Sequence, residues 1–107
     1  MASFGHFIKK EREKREWTQT EFGAKIGNNS SAISRMENGS QRFSVSKLEK
    51  LSKIFDIDFQ VIKDLFYADK FAREAYKNNC SDKVFMVAED TVKYIQDKNS
   101  KQAKLKL

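Results

Sequence analysis

Between Asn29 and Arg42 the chain sets Ser30, Ser31, Ser34, Arg35 and Asn38 at spacings of one, three and four residues. On a helix these five share one side, and Ile33, Met36 and Glu37 share the other. The chemistry open to such a row is hydrogen bonding at close range. Ser and Asn are poor helix formers, so a face meant only for solvent is expected to carry Lys and Glu instead. Short polar groups let a backbone approach a surface closely and bond to base edges or phosphates. The plainer reading is that Ser and Asn gather here because both ends of a short helix need caps.

Other chemistries lack their residues. One His and one Cys allow no intrachain disulfide and no zinc site built on Cys and His spacing. Paired carboxylates and a phosphate-cradling glycine loop are also missing, so no catalytic residue, metal or cofactor is expected. A net charge of +6 admits nucleic acid as a partner. The apolar runs fall far short of the roughly 20 residues that span a bilayer. Met1-Ala2-Ser3-Phe4 has neither the charged nor the apolar region of a secretory leader. The expectation is a soluble, cytoplasmic, single-domain chain with no membrane partner.

The elements that position the polar row read as helices, and the fold class expected is all-α. The chain has no Pro and four Gly, and no stretch alternates in the manner of a strand. A first helix is predicted over 4–16, with Phe4, Phe7 and Ile8 on one face. Thr18-Gln19-Thr20-Glu21 reads as a capping box opening a second helix that stops at Gly27. Asn29 can cap a third helix over 30–37, closed by Asn38-Gly39. Ser44 can cap a fourth, with Val45, Leu48, Leu51, Ile54 and Phe55 at helical spacing. Asp58 can cap a fifth reaching about Lys77, and Ser81 a sixth over 82–97. The ten residues 98–107 hold four Lys without periodicity and are expected to be a disordered basic tail. Trp17 is read as a lid on the core, not a stacking platform.

The run from Trp17 to Gly39 resembles the helix-turn-helix of the phage-repressor, Cro and XRE family. It carries Thr18-Gln19 before helix two, Lys25-Ile26-Gly27 at the turn, Ile33-Ser34 in helix three, and Glu37-Asn38-Gly39 after it. Phe4-Gly5, Ile8 and Arg12 extend the resemblance into helix one. Val45 to Phe55, with Ile57-Asp58, extend it towards helix five. Gly23, Asn28, Ser30 and Phe55-Asp56 depart from the family's usual residues. The resemblance implies a five-helix repressor-like DNA-binding domain over 1–77, with its helix-turn-helix at 18–39 and a sixth C-terminal helix appended.

It also implies roles for particular residues. Ser30, Ser31, Ser34 and Arg35 match positions that face base edges in the major groove. Thr18, Gln19, Asn38, Ser40 and Arg42 match positions that contact DNA phosphates. Arg12 and Glu37 match a structural ion pair joining helix one to helix three, which accounts for the single charge on the inner side of helix three. The partner implied is double-stranded DNA with a palindromic operator, and no small-molecule ligand is evident. The functional expectation is a small sequence-specific transcriptional regulator, either a repressor or a restriction-modification controller. An antitoxin or a protein-interaction module on the same scaffold is the alternative.

The C-terminal third bears on assembly. Helix five carries two apolar stripes: Phe59, Ile62 and Phe66 on one, and Val61, Leu65, Ala68, Ala72 and Tyr76 on the other. Helix six carries Phe85, Ala88, Val92 and Ile95, flanked by Val84, Val87 and Tyr94. A homodimer is expected, with 78–97 as its dimerisation helix and Phe85, Ala88, Val92 and Ile95 at the interface; folding back over helix five is the alternative, and both arrangements can hold together.

Overall fold

The computed structural model describes residues 3–105, with side chains described through Lys101, and every described regular element is helical. They are α1 (Phe4–Lys14), α2 (Gln19–Ile26), α3 (Ser30–Asn38), α4 (Leu48–Phe55), α5 (Phe59–Lys77) and α6 (Lys83–Leu105), with a 3₁₀ turn at Val45–Lys47 leading into α4. The chain divides into two compact units, with the boundary between Lys70 and Phe71 inside α5.

In the first unit the turns form where local chemistry dictates them. The Thr18 hydroxyl accepts from the Glu21 N–H, and the Glu21 carboxylate accepts from the Thr18 N–H, both at 3.0 Å. This reciprocal box fixes the start of α2. Asn29 caps α3 by accepting from the Ala32 N–H at 2.8 Å. Gly27 and Gly39 close α2 and α3 at φ of 76° and 89°, in the left-handed region where a Cβ is unfavourable. Asp56 takes the same conformation after α4, at φ 54°. Ser44 differs from expectation: it makes no side-chain cap, and its hydroxyl bonds to that of Ser46 instead. Helix α1 stops at Lys14, short of Glu16. Glu16 is left-handed at φ 58°, which turns Trp17 back so that its N–H reaches the Arg12 carbonyl.

The core holds Phe4 and Ile8 from α1, Phe22 and Ile26 from α2, Ile33 and Met36 from α3, Leu48, Leu51 and Phe55 from α4, and Ile62 and Phe66 from α5. Phe43, in the loop before α4, joins them and meets Phe4 edge-on at 5.5 Å. Phe59 does not pack with Ile62 and Phe66. It is exposed, with the Lys63 ammonium over its ring. Trp17 lies half-buried on the core, its ring nearly parallel to those of Phe22 and Phe55. Gly23, a departure from the family's usual residue, has a packing reason. A Cβ there would stand 2.2 Å from the Asn28 carbonyl oxygen, so the turn could not close over any other residue.

The second unit contains the end of α5 and all of α6. Ala75 is buried, Val84 and Ala88 are half-buried, and the Phe71 and Phe85 rings meet edge-on at 5.5 Å. Helix α6 runs well past Asp97, which corrects the expectation of a disordered tail: residues 98–105 are helical, and 106–107 lie outside the described residues. The reason is intrinsic. Lys, Gln, Ala and Leu favour helix without needing an apolar stripe, and Lys101 reaches back to Asp97 at 3.2 Å.

Candidate nucleic-acid interface

The site is built on α2 and α3, which pack together while α1 packs across α3. Along α3, Ala32, Ile33, Met36 and Glu37 are buried, and Ser30, Ser31, Ser34, Arg35 and Asn38 are exposed. The five exposed residues form one continuous polar surface of short side chains broken by a single guanidinium.

What holds α3 in place is polar as well as apolar. Arg12 donates to Glu37 twice, from Nε to Oε2 at 2.7 Å and from Nη2 to Oε1 at 3.1 Å, and its Nη1 donates to the Trp17 carbonyl at 2.8 Å. Glu37 is 6% exposed and Arg12 9%, so the pair sits out of water with its hydrogen-bonding capacity engaged. Hydrogen bonding to Glu37 raises the Arg12 pKa, outweighing the opposing effect of burial, so the guanidinium stays charged.

Gln19 enters the same cluster, donating from Nε2 to Glu37 Oε1 at 3.1 Å. This contact was not anticipated for a residue expected to meet a phosphate. One amide hydrogen of Gln19 ties the start of α2 to α3, and the second remains for another acceptor. Thr18, beside it, is exposed with its oxygen accepting in the capping box. The box holds the Glu21 carboxyl below the usual carboxylate range, chiefly through the Thr18 N–H and then the Thr18 hydroxyl.

The loop after α3 folds back on Arg35. The Arg35 carbonyl accepts from the N–H groups of Gly39, Ser40 and Gln41, and Asn38 Oδ1 accepts from the Ser40 N–H at 2.9 Å. Ser40 and Arg42 are exposed. Gln41, which the sequence reading passed over, is half-buried, and its Oε1 accepts from Arg35 Nε at 2.9 Å. A contact six residues along lies beyond any helical periodicity, so no sequence pattern marks it.

Two further features surround the site. Lys47 donates to the Ile26 carbonyl, closing the end of α2, and Lys25 stands over the Trp17 ring at 4.6 Å. Asn28, in the turn between α2 and α3, keeps its side-chain Oδ1 buried without a hydrogen-bond donor. Among the described residues no cluster of His, Cys, Asp and Glu could hold a metal ion, and no helix is long and apolar enough to cross a membrane.

Known proteins share this architecture. A chain of the P22 c2 repressor, solved in complex with a synthetic operator, is similar over 58% of this chain and 94% of its own, with 24% identity and a TM-score of 0.52. A chain of the SinR–SinI protein complex is similar over 88% of this chain and 98% of its own, with 26% identity and a TM-score of 0.50. No curated protein sequence matches. Residues 8–62 match the helix-turn-helix family, a span reaching from α1 into α5 and covering both helices of the site and the Arg12–Glu37 pair. The chain therefore belongs to the helix-turn-helix family of phage-repressor, Cro and XRE type, and is a DNA-binding regulator of transcription.

Proposed function

We propose that the protein is a homodimeric, sequence-specific regulator that reads the major groove with α3, working as a small repressor or a restriction-modification controller in the compartment that holds the DNA. The observation that carries this reading is the division of α3. Its inner side is fixed by core packing and the Arg12–Glu37 pair, and its outer side offers only Ser30, Ser31, Ser34, Arg35 and Asn38. A helix that docks on protein would carry apolar anchors in their place. In this reading the three serines and Arg35 meet base edges, and Thr18, Gln19, Asn38, Ser40 and Arg42 meet phosphates.

Dimerisation is supported by apolar surface left open on α6. Phe85, Val92 and Ile95, which share one side of α6, are each between 49 and 52% exposed. At ~25 cal/mol per Å² of apolar area, side chains of this size represent several kcal/mol of burial open to a second copy. Ala88, on the same side, is half-buried and contributes less. Two-fold symmetry doubles the contact with DNA and calls for a palindromic operator with half-sites about one helical turn, or ~34 Å, apart.

The test is the salt dependence of binding. Each neutralised phosphate contributes about −0.9 to the slope of log affinity against log salt. Arg42→Ala is expected to weaken binding to all sequences alike and to flatten the slope. Binding that does not respond to salt contradicts the assignment.

A further inference from the structure

We infer that Gln41 is a positioning residue for base reading: it holds the Arg35 guanidinium by its Nε edge and so selects which edge of the fork faces the DNA. The inference rests on the proposed role of Arg35. Its own basis is the geometry of the loop after α3.

An arginine fork has two edges that can bond bidentately, the Nε–Nη edge along its side and the Nη–Nη edge at its tip. In the structure Arg35 Nε donates to Gln41 Oε1 at 2.9 Å, so the side edge is engaged within the protein. The tip edge is left for the O6 and N7 acceptors of a guanine. The same contact competes with a phosphate for that side edge, where Arg35 would bind without reading sequence.

Gln41 is suited to this because it is itself held. Its backbone N–H donates to the Arg35 carbonyl at 3.2 Å, beside the Ser40 N–H at 3.0 Å, and Ser40 is fixed in turn by Asn38 Oδ1. The loop therefore returns to the residue it left and brings an acceptor against that residue's guanidinium. A long side chain ordered before binding loses less freedom on meeting its base, which favours the correct sequence over a loose fit to any sequence.

Three variants of the full chain test this: Gln41→Ala, Gln41→Glu and Arg35→Ala, with the Gln41→Ala/Arg35→Ala double variant completing a cycle. The readout is affinity for the selected operator and for the same DNA with each half-site base replaced in turn. Gln41→Ala is expected to lower discrimination by about fivefold, the worth of one hydrogen bond, at the base position that Arg35→Ala relaxes and at no other. The double variant is expected to discriminate no worse than Arg35→Ala alone. Gln41→Glu keeps the acceptor and adds a negative charge, so it is expected to weaken every sequence alike and leave the base preference intact. Additive losses in the cycle overturn the inference while leaving Arg35 as a reader. A Gln41→Ala effect at a different base position also overturns it, because Gln41 then reads a base itself. If Arg35→Ala relaxes no position, the role of Arg35 fails and this inference fails with it.

Discussion

Arg12 grips Glu37 from beneath α3 with two hydrogen bonds, at 2.7 and 3.1 Å, so the helix with the row of short polar side chains outward is also anchored by a charge on its inner face. A buried pair of this kind adds little net stability over an apolar pair of equal volume, but its separation is costly because one charge stays buried alone. Arg12→Ala and Glu37→Ala are each expected to cost roughly 3–5 kcal/mol in denaturant unfolding, and the double variant much less than their sum. Additive losses would mean that the two residues act separately.

The turn between α2 and α3 contains a correctable fault. Asn28 departs from the family's usual residue, and its Oδ1 is buried without a donor. Asn28→Leu removes the unpaired oxygen and is expected to raise stability by about 1 kcal/mol in denaturant unfolding. A loss of stability would show that the amide has a partner that matters.

Acid stability should carry the signature of the capping box. The folded state holds the Glu21 pKa below its ordinary value, chiefly through the Thr18 N–H. Between the folded and unfolded values the unfolded chain binds more protons, so this contribution is complete above the ordinary carboxylate range and is lost as pH falls through the folded value. Glu21→Gln is expected to flatten the rise of stability with pH across that acidic window, measured by unfolding at several pH values. An unchanged slope would remove Glu21 from the account. Arg12 adds no such dependence, because its raised value lies above the working range.

Assembly should depend on the outer face of α6. Val92→Asp and Phe85→Asp place charge where apolar surface stands open. Each is expected to lower the apparent mass in sedimentation and to weaken operator binding, while the helical signal is kept. A full-length chain that is monomeric well above micromolar concentration would contradict the two-fold proposal.

Local signals were legible in the sequence where they are local in physics. Thr18 with Glu21, Asn29, Gly27 and Gly39 each act within four residues, and all four marked their helix ends correctly. The two sides of α3 followed from its period. Phe43 and Gln41 were not legible, because each works through a loop whose path only the tertiary fold defines. The close approach that requires Gly23 depends on where the Asn28 carbonyl comes to rest, which propensity does not encode. The length of α6 was not legible because its apolar stripe ends near Ile95, while its helix continues on propensity and the Lys101–Asp97 ion pair.

Selection of bound sequences from random double-stranded DNA by the full-length chain separates base reading by α3 from general attraction to phosphate. The expected result is a two-fold symmetric motif with half-sites about one helical turn (~34 Å) apart. Each half-site should contain a guanine whose preference disappears in Arg35→Ala while the other positions persist. Enrichment of no sequence, or a motif that Arg35→Ala, Ser30→Ala, Ser31→Ala and Ser34→Ala all leave unchanged, would contradict reading by the outer face of α3.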